Sequence, residues 1–179
     1  MNTNNSVMAL ATRFNDKGDW TLEQQFVLQM GSSYLMAHGL GTPLAKDAKT
    51  EINIPEDGDY RLWVRTKNWT AFWSEGKTPG IFQVLIDGTA DPSEFGIGKT
   101  PLDMKAGIDF PEDIDTSREA RAERAQWYWQ KGETYHLTKG RHSIALHDLM
   151  GLDGRCDAII LTSTDDVPGD SLEDYRALR

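Results

Sequence analysis

The sequence predicts an all-β fold, an antiparallel β-sandwich. Two observations predict it: apolar residues recur at every second position in several short stretches, and turn residues, not helical segments, separate these stretches. At 179 residues the chain is long enough for one domain with its own core, since a domain of this size removes roughly 70 % of its unfolded surface from water. We expect a sandwich over residues 19–164, an N-terminal tail over 1–18, and a C-terminal tail or helix over 165–179.

The clearest predicted element is a hairpin that begins at Thr50. Residues 50–54 alternate polar and apolar side chains, residues 55–59 have the composition of a turn, and residues 60–66 alternate again. Because successive side chains of a strand point to opposite faces, the second strand divides into two sets. One set comprises Tyr60, Leu62, Val64 and Thr66, and the other comprises Arg61, Trp63 and Arg65.

Further strands are predicted after the hairpin, at residues 81–86, 127–130, 133–137, 141–148 and 157–162. Lys131 and Gly132 predict a tight turn between the second and third of these strands. A long polar stretch interrupts the series at residues 91–125, and residues 117–126 have the composition of a short exposed helix. The complete prediction is a jelly-roll sandwich with a long, partly helical insertion that packs over an edge or a site.

Charge and motif content exclude several classes of function. The chain has 19 basic and 28 acidic residues, a formal net charge of −9, so neither a phosphate backbone nor an anionic membrane surface is an expected partner. The single cysteine, Cys156, allows no intramolecular disulfide, and no Cys/His spacing predicts a structural zinc. The first thirteen residues lack the features of a secretory signal. They fit a cytoplasmic protein, or a domain of a longer periplasmic or secreted one.

Tryptophan is the most distinctive residue type of this chain. Of six tryptophans, Trp69 and Trp73 fall in a segment of loop composition, and Trp127 and Trp129 alternate along a predicted strand. Flat rings beside polar side chains suit a sugar, because the C–H face of a pyranose stacks on the ring while its hydroxyls pair with donors and acceptors. The alternative is that these rings pack as a satellite of the core.

A second constellation lies at a predicted corner between two strands. His147 and Asp148 precede the corner, and Asp153, Arg155 and Asp157 follow it. These groups could bind ligand hydroxyls, or the carboxylates could hold calcium through oxygen ligands. The alternative is a salt-bridge network around the arginine that fixes the corner. The spacing does not match an EF-hand loop.

Acid–base chemistry has two candidate residues, His38 and His147. His38 lies in a turn of small residues, where a side chain can face a cleft. The sequence contains no GxSxG, P-loop or GxGxxG motif, so it specifies no catalytic mechanism.

Several motifs together have a familiar pattern: Asp19-Trp20, Met30-Gly31-Ser32, Ala37-His38-Gly39, Tyr60-Arg61-Leu62-Trp63, Trp127-Tyr128-Trp129-Gln130 and Gly154-Arg155-Cys156-Asp157-Ala158-Ile159. On these motifs the sequence resembles the C-terminal β-sandwich module of bacterial FAD-dependent oxidoreductases, and it is similar to galactose-binding-like carbohydrate-binding modules and to the xanthan-lyase/golvesin-type module. The resemblance implies a carbohydrate partner but no redox activity, because the glycine-rich dinucleotide fingerprint is absent from this chain. Residues 91–125 depart from the pattern, since the family has a short link there.

Three functions follow as hypotheses, and the first is favoured. A non-catalytic carbohydrate-binding module would use the ligand-binding residues Trp69, Trp73, Trp127, Trp129, Arg65, His38, His147, Asp148, Arg155 and Asp157. A polysaccharide lyase or hydrolase would use His38 or His147 as acid/base, with Arg155 neutralising a uronate carboxylate. A docking module would pack its tryptophans against a catalytic domain or a second copy of itself.

Overall fold

The structure is a computed structural model that describes residues 6–25, 32–67, 80–96, 127–164 and 166–169. Within these ranges it is built almost entirely of strands. They are β1 (Ser6–Leu10), β2 (Thr21–Glu23), β3 (Tyr34–Ala37), β4 (Ala48–Ile54), β5 (Gly58–Thr66), β6 (Phe82–Ile86), β7 (Thr89–Ala90), β8 (Tyr128–Leu137), β9 (Gly140–Asp148) and β10 (Gly154–Thr162). A 3-10 turn, Ala11–Arg13, follows β1.

The strands form two antiparallel sheets. The six-stranded sheet has the order β2-β3-β10-β5-β8, and β1 pairs with the half of β10 that β3 leaves free. The four-stranded sheet has the order β4-β9-β6-β7. The predicted antiparallel β-sandwich is therefore confirmed.

The core lies between the sheets, as the alternation along β5 shows. Tyr60, Leu62 and Val64 belong to the main apolar cluster, which also contains residues from β4, β6, β9 and β10. Trp63 instead packs with Trp129 in a second cluster on the outer face of the six-stranded sheet. The predicted division of β5 into two faces is confirmed.

The predicted turn at Lys131 and Gly132 is wrong, because β8 runs through both residues without a break. The β5–β8 register shifts between Arg61 and Trp63, opposite this point. A Cβ on Gly132 would lie 2.8 Å from Leu62 Cδ2 and 2.9 Å from the Asp91 carboxylate. The glycine thus permits a close approach inside a strand and does not mark a turn.

Two further segments differ from the sequence expectations. Residues 6–10, within the predicted N-terminal tail, form β1 and pair with β10. The described start of the predicted insertion is extended, since Phe95 bridges to Phe82 beside β6. The helical part of the insertion is not supported, and residues 97–126 lie outside the described residues. In the described part of the chain, no helix is long and apolar enough to cross a membrane.

Several interstrand connections meet at one end of the sandwich. Gly154 pairs with Ala37, Thr66 pairs with both Cys156 and Tyr128, and in the other sheet Phe82 pairs with Asp148. The loops after β3 and β9 therefore lie together, beside the end of β5 and the starts of β6 and β8. We call this region, which includes loops 38–47 and 149–153, the loop end.

Candidate functional site

Asp148 holds the two loops of the loop end in place. Its side chain is buried, and its carboxylate accepts hydrogen bonds from the backbone N–H groups of Gly151 (3.0 Å), Met150 (3.3 Å) and Leu44 (2.9 Å). Two of these donors belong to loop 149–153 and the third belongs to loop 38–47. Asp148 therefore stabilises the geometry of the site from beneath, as an acceptor for otherwise unpaired amides.

Backbone contacts complete this attachment. Gly41 N–H donates to Gly151 O at 3.0 Å, and Asp153 N–H donates to Ala37 O at 2.7 Å. A Cβ on Gly151 would collide with the Thr42 carbonyl, and the φ of Gly151 is +70°. Both the close approach and the left-handed backbone require glycine at this position. The two loops consequently form one rigid unit.

A polar pair, His38 and Asp153, reaches the surface of this unit. The His38 Nδ1 atom lies 3.2 Å from Asp153 Oδ1, and the side chains are 49 % and 20 % exposed. The second Asp153 oxygen is 3.9 Å from the guanidinium of Arg155, which is only 3 % exposed. A polar chain therefore runs from the surface imidazole through the carboxylate to a buried cation.

A buried ion pair lies behind this chain, on the outer face of the six-stranded sheet. Arg65 Nη1 donates to Asp157 Oδ2 at 2.9 Å, and the Ser32 hydroxyl donates to Asp157 Oδ1 at 2.9 Å. Asp157 is the extra residue where the β10–β5 register shifts between Cys156 and Ala158, so this irregularity places it beside Arg65. The predicted ligand-binding pair is thus buried and engaged with protein groups.

Two further ionisable groups, Lys67 and Tyr34, lie near Arg155. Burial, with a smaller contribution from the positive charge of Arg155, lowers the pKa of Lys67 to about 7. Burial also raises the pKa of the Tyr34 hydroxyl, and the nearby Arg155 guanidinium partly offsets that rise. The charge of Lys67 therefore changes with pH around neutrality.

The described tryptophans among the predicted site residues are packed in protein. Trp127 is buried against Tyr34, with ring centroids 4.9 Å apart. Trp129 is buried beside Trp63, and its indole N–H donates to Gly169 O at 3.0 Å. This placement matches the alternative in which these rings form a satellite of the core. Trp69 and Trp73 lie outside the described residues.

His147 and the corner carboxylates are also engaged. His147 Nδ1 lies 2.8 Å from Asp47 Oδ1, so this imidazole joins β9 to the loop after β3. The Asp148 carboxylate accepts hydrogen bonds from backbone amides, and the carboxylates of Asp153 and Asp157 pair with basic or hydroxyl side chains. These carboxylates fit calcium poorly, because their oxygens already accept bonds from protein donors. Among the described residues, no group of three or more His, Cys, Asp or Glu side chains could hold a metal ion.

The structure brings together His38, Arg155, Arg65 and Asp157, which the sequence had nominated, and adds Asp153 as the link to the surface. Asp153 was visible in the sequence as part of the polar corner but not as the partner of a histidine 115 residues away. Lys67 and Tyr34 were missed. Their sequence signal is position alone, since Tyr34 begins β3 and Lys67 directly follows β5.

Comparisons with known proteins place the fold. No protein-family model matches the chain, and no curated protein matches it. Among solved structures, a family 35 carbohydrate-binding module from Clostridium thermocellum matches with a TM-score of 0.56 at 17 % identity, covering 89 % of this chain and 98 % of that one. A family 35 module from an environmental isolate has a TM-score of 0.53 at 12 % identity, covering 88 % and 93 %.

Longer proteins contain the same fold. A GH26-CBM35 β-(1,4)-mannanase from Podospora anserina matches with a TM-score of 0.56 at 15 % identity, over 92 % of this chain. This chain spans only 29 % of the mannanase chain. None of these matches supports the flavin-oxidoreductase context or the xanthan-lyase module that the motifs resemble. The chain has the antiparallel β-sandwich fold seen in family 35 carbohydrate-binding modules.

Proposed function

We propose that this chain is a non-catalytic carbohydrate-binding module that recognises a polysaccharide or glycoside. The observation that carries the proposal is the match to stand-alone carbohydrate-binding modules over almost their whole length, 98 % in one case. Since unrelated functions share this fold, the site must carry the rest of the argument.

The loop end supports a binding role because it presents polar groups on a rigid support. His38 is exposed and Asp153 is part-exposed, and their side chains offer polar groups side by side. The amide contacts of Asp148 hold both loops from below. Recognition of sugar hydroxyls needs such fixed polar groups, because groups that are already ordered lose little entropy on binding. Arg155, Arg65 and Asp157 act in this proposal as the buried support.

Acid–base catalysis is the alternative that the two candidate histidines leave open. His38 and His147 each bond to an aspartate through Nδ1, and an imidazole held in this way can bind a sugar hydroxyl or act as a general base through Nε2. The reducing-end measurement below separates the two functions. We propose that a glycan-active catalytic domain is the partner, as in the longer mannanase chain.

The test is affinity electrophoresis in gels that contain β-1,4-mannan, β-1,3-galactan, dextran, xylan or pectin. Retardation in at least one gel, without new reducing ends in the same polysaccharide, supports the proposal. New reducing ends would show an enzyme, and free migration in every gel would contradict binding. Retardation that EDTA abolishes would add calcium, which stays a prediction.

A matched pair of variants locates the site. His38→Ala should weaken retardation, because it removes an exposed imidazole at the loop end. His136→Ala is the control, since His136 is likewise exposed and pairs with Asp59 at 2.8 Å, but at the opposite end of the sandwich. Equal effects of the two substitutions would contradict a site at the loop end.

A further inference from the structure

The turn at residues 39–42 contains an unusual exposed leucine. Thr42 N–H donates to Gly39 O at 3.0 Å, and the two central residues have positive φ, +53° for Leu40 and +86° for Gly41. The Leu40 side chain is 80 % exposed. It is one of two exposed large hydrophobic side chains among the described residues, the other being Val167.

The chain contains a second turn with almost the same backbone. Asp87 and Gly88 have φ values of +50° and +80°. Asp87 suits this geometry, because a short polar side chain tolerates the left-handed region. Its carboxylate also accepts a hydrogen bond from Ser143 N–H on the neighbouring strand β9, at 2.8 Å. Leu40 has the same backbone without either advantage. The turn alone would therefore favour Asp, Asn or Gly over leucine.

Leu40 also contributes little to the core, since most of its side chain faces solvent. Its strained backbone persists because hydrogen bonds fix the residues that follow it. Gly41 N–H donates to Gly151 O, and Leu44 N–H donates to the Asp148 carboxylate. Strain that neighbouring contacts maintain is typical of residues that contact ligands. The polar His38–Asp153 pair lies on the same unit, and His38 is two residues from Leu40 along the chain.

We propose that Leu40 is a ligand-contact residue of the carbohydrate site, packing against the apolar C–H face of a sugar ring while His38 and Asp153 bind its hydroxyls. The inference rests on the proposed function and deepens it. Leu40 supplies the apolar contact and the histidine–aspartate pair supplies the polar ones, which is the combination a pyranose requires. Leucine is kept at this left-handed position, at a cost in folding stability, because binding uses its exposed side chain.

The test is Leu40→Asn, measured by affinity electrophoresis on every polysaccharide that retards the unchanged protein, and by calorimetric melting. Asparagine tolerates the left-handed backbone, so the melting temperature should stay the same or rise by about 2–4 °C. Affinity should fall about tenfold, since the apolar contact is lost. Leu40→Met, which keeps an apolar side chain, should retain most of the affinity. Val167→Asn is the control and should leave affinity unchanged.

The outcomes separate the inference from the proposed function. Unchanged affinity in Leu40→Asn would overturn the role of Leu40 while binding by the unchanged protein stands. Equal losses in Leu40→Asn and Val167→Asn would also overturn it, as would a lower melting temperature, which would make Leu40 structural. If the unchanged protein is retarded in no gel, the proposed function and this inference both fail.

Discussion

Asp148→Ala tests whether this carboxylate supports the loop end or contacts ligand. The substitution removes the acceptor for three backbone N–H groups, those of Leu44, Met150 and Gly151. The Gly151 bond is buried, so that amide loses its partner without gaining water, at a cost of about 1–3 kcal/mol. The other two amides are part-buried and can rebind water, each losing about 0.5–1 kcal/mol.

Together these losses lower the free energy of unfolding by about 3 kcal/mol. For a chain of this size the melting temperature should fall by roughly 6–12 °C, at about 2–4 °C per kcal/mol. Asp148→Asn keeps one oxygen acceptor but turns an NH₂ group towards one of the donors, so its effect should be about half as large. Calorimetry measures both shifts.

Binding completes the test of Asp148. Below the lowered melting temperature, Asp148→Ala should still be retarded by the polysaccharides that retard the unchanged protein. A variant that melts within about 1 °C of the unchanged protein and yet loses all retardation would refute the supporting role. In that case the carboxylate would be a ligand contact.

Two further predictions concern buried and paired charges. Arg65→Met should lower the free energy of unfolding by about 3–5 kcal/mol, because it removes the ion-pair partner of the buried Asp157 carboxylate. Adding Asp157→Leu should recover part of that loss, as measured by urea titration. Additive losses in the double variant would contradict this prediction. Both ring nitrogens of His142 face acceptors, Asp87 Oδ2 and Thr138 O, each at 2.7 Å. The Asp87 hydrogen bond raises the pKa of His142, with burial opposing it. This stabilisation is therefore full below about pH 6.5 and is lost as pH rises through the higher pKa of the folded protein. Lys67 contributes in the opposite direction over this range, because its lowered pKa makes the folded protein gain stability as pH rises above about 7. The prediction therefore concerns the difference between variants: from pH 6.5 to 8.5 the melting temperature of the unchanged protein should fall relative to that of His142→Gln, and equal slopes would contradict the assignment.

Much of the fold could be predicted because strands with one buried face carry a period of two. Tyr60, Leu62 and Val64 indicated both a strand and its core face. Gly132 misled the prediction, since glycine marks turns and also close approaches, and only the position of Leu62 and Asp91 decides which. The three N-terminal strands have three to five residues, too few to show a clear alternation.

The candidate site was harder to predict, because burial and long-range pairing decide the role of a polar residue. The sequence brought Asp148, Arg155 and Asp157 to one corner but could not tell a ligand contact from a buried support. Several of the deciding partners lie far along the chain, as with Leu44 and Asp148, 104 residues apart. Leu40 drew no attention, because a lone leucine between glycines becomes unusual only once its backbone angle and exposure are known.

A ¹H–¹⁵N NMR titration with an oligosaccharide, taken from the polysaccharide that retards the protein most, tests directly whether the loop end binds carbohydrate. We expect the largest amide shifts in loops 38–47 and 149–153, with Leu40 and Asp153 among them. Shifts that cluster at the opposite end, in turns 55–57, 87–88 and 138–139, or no shifts at saturating sugar, would contradict it.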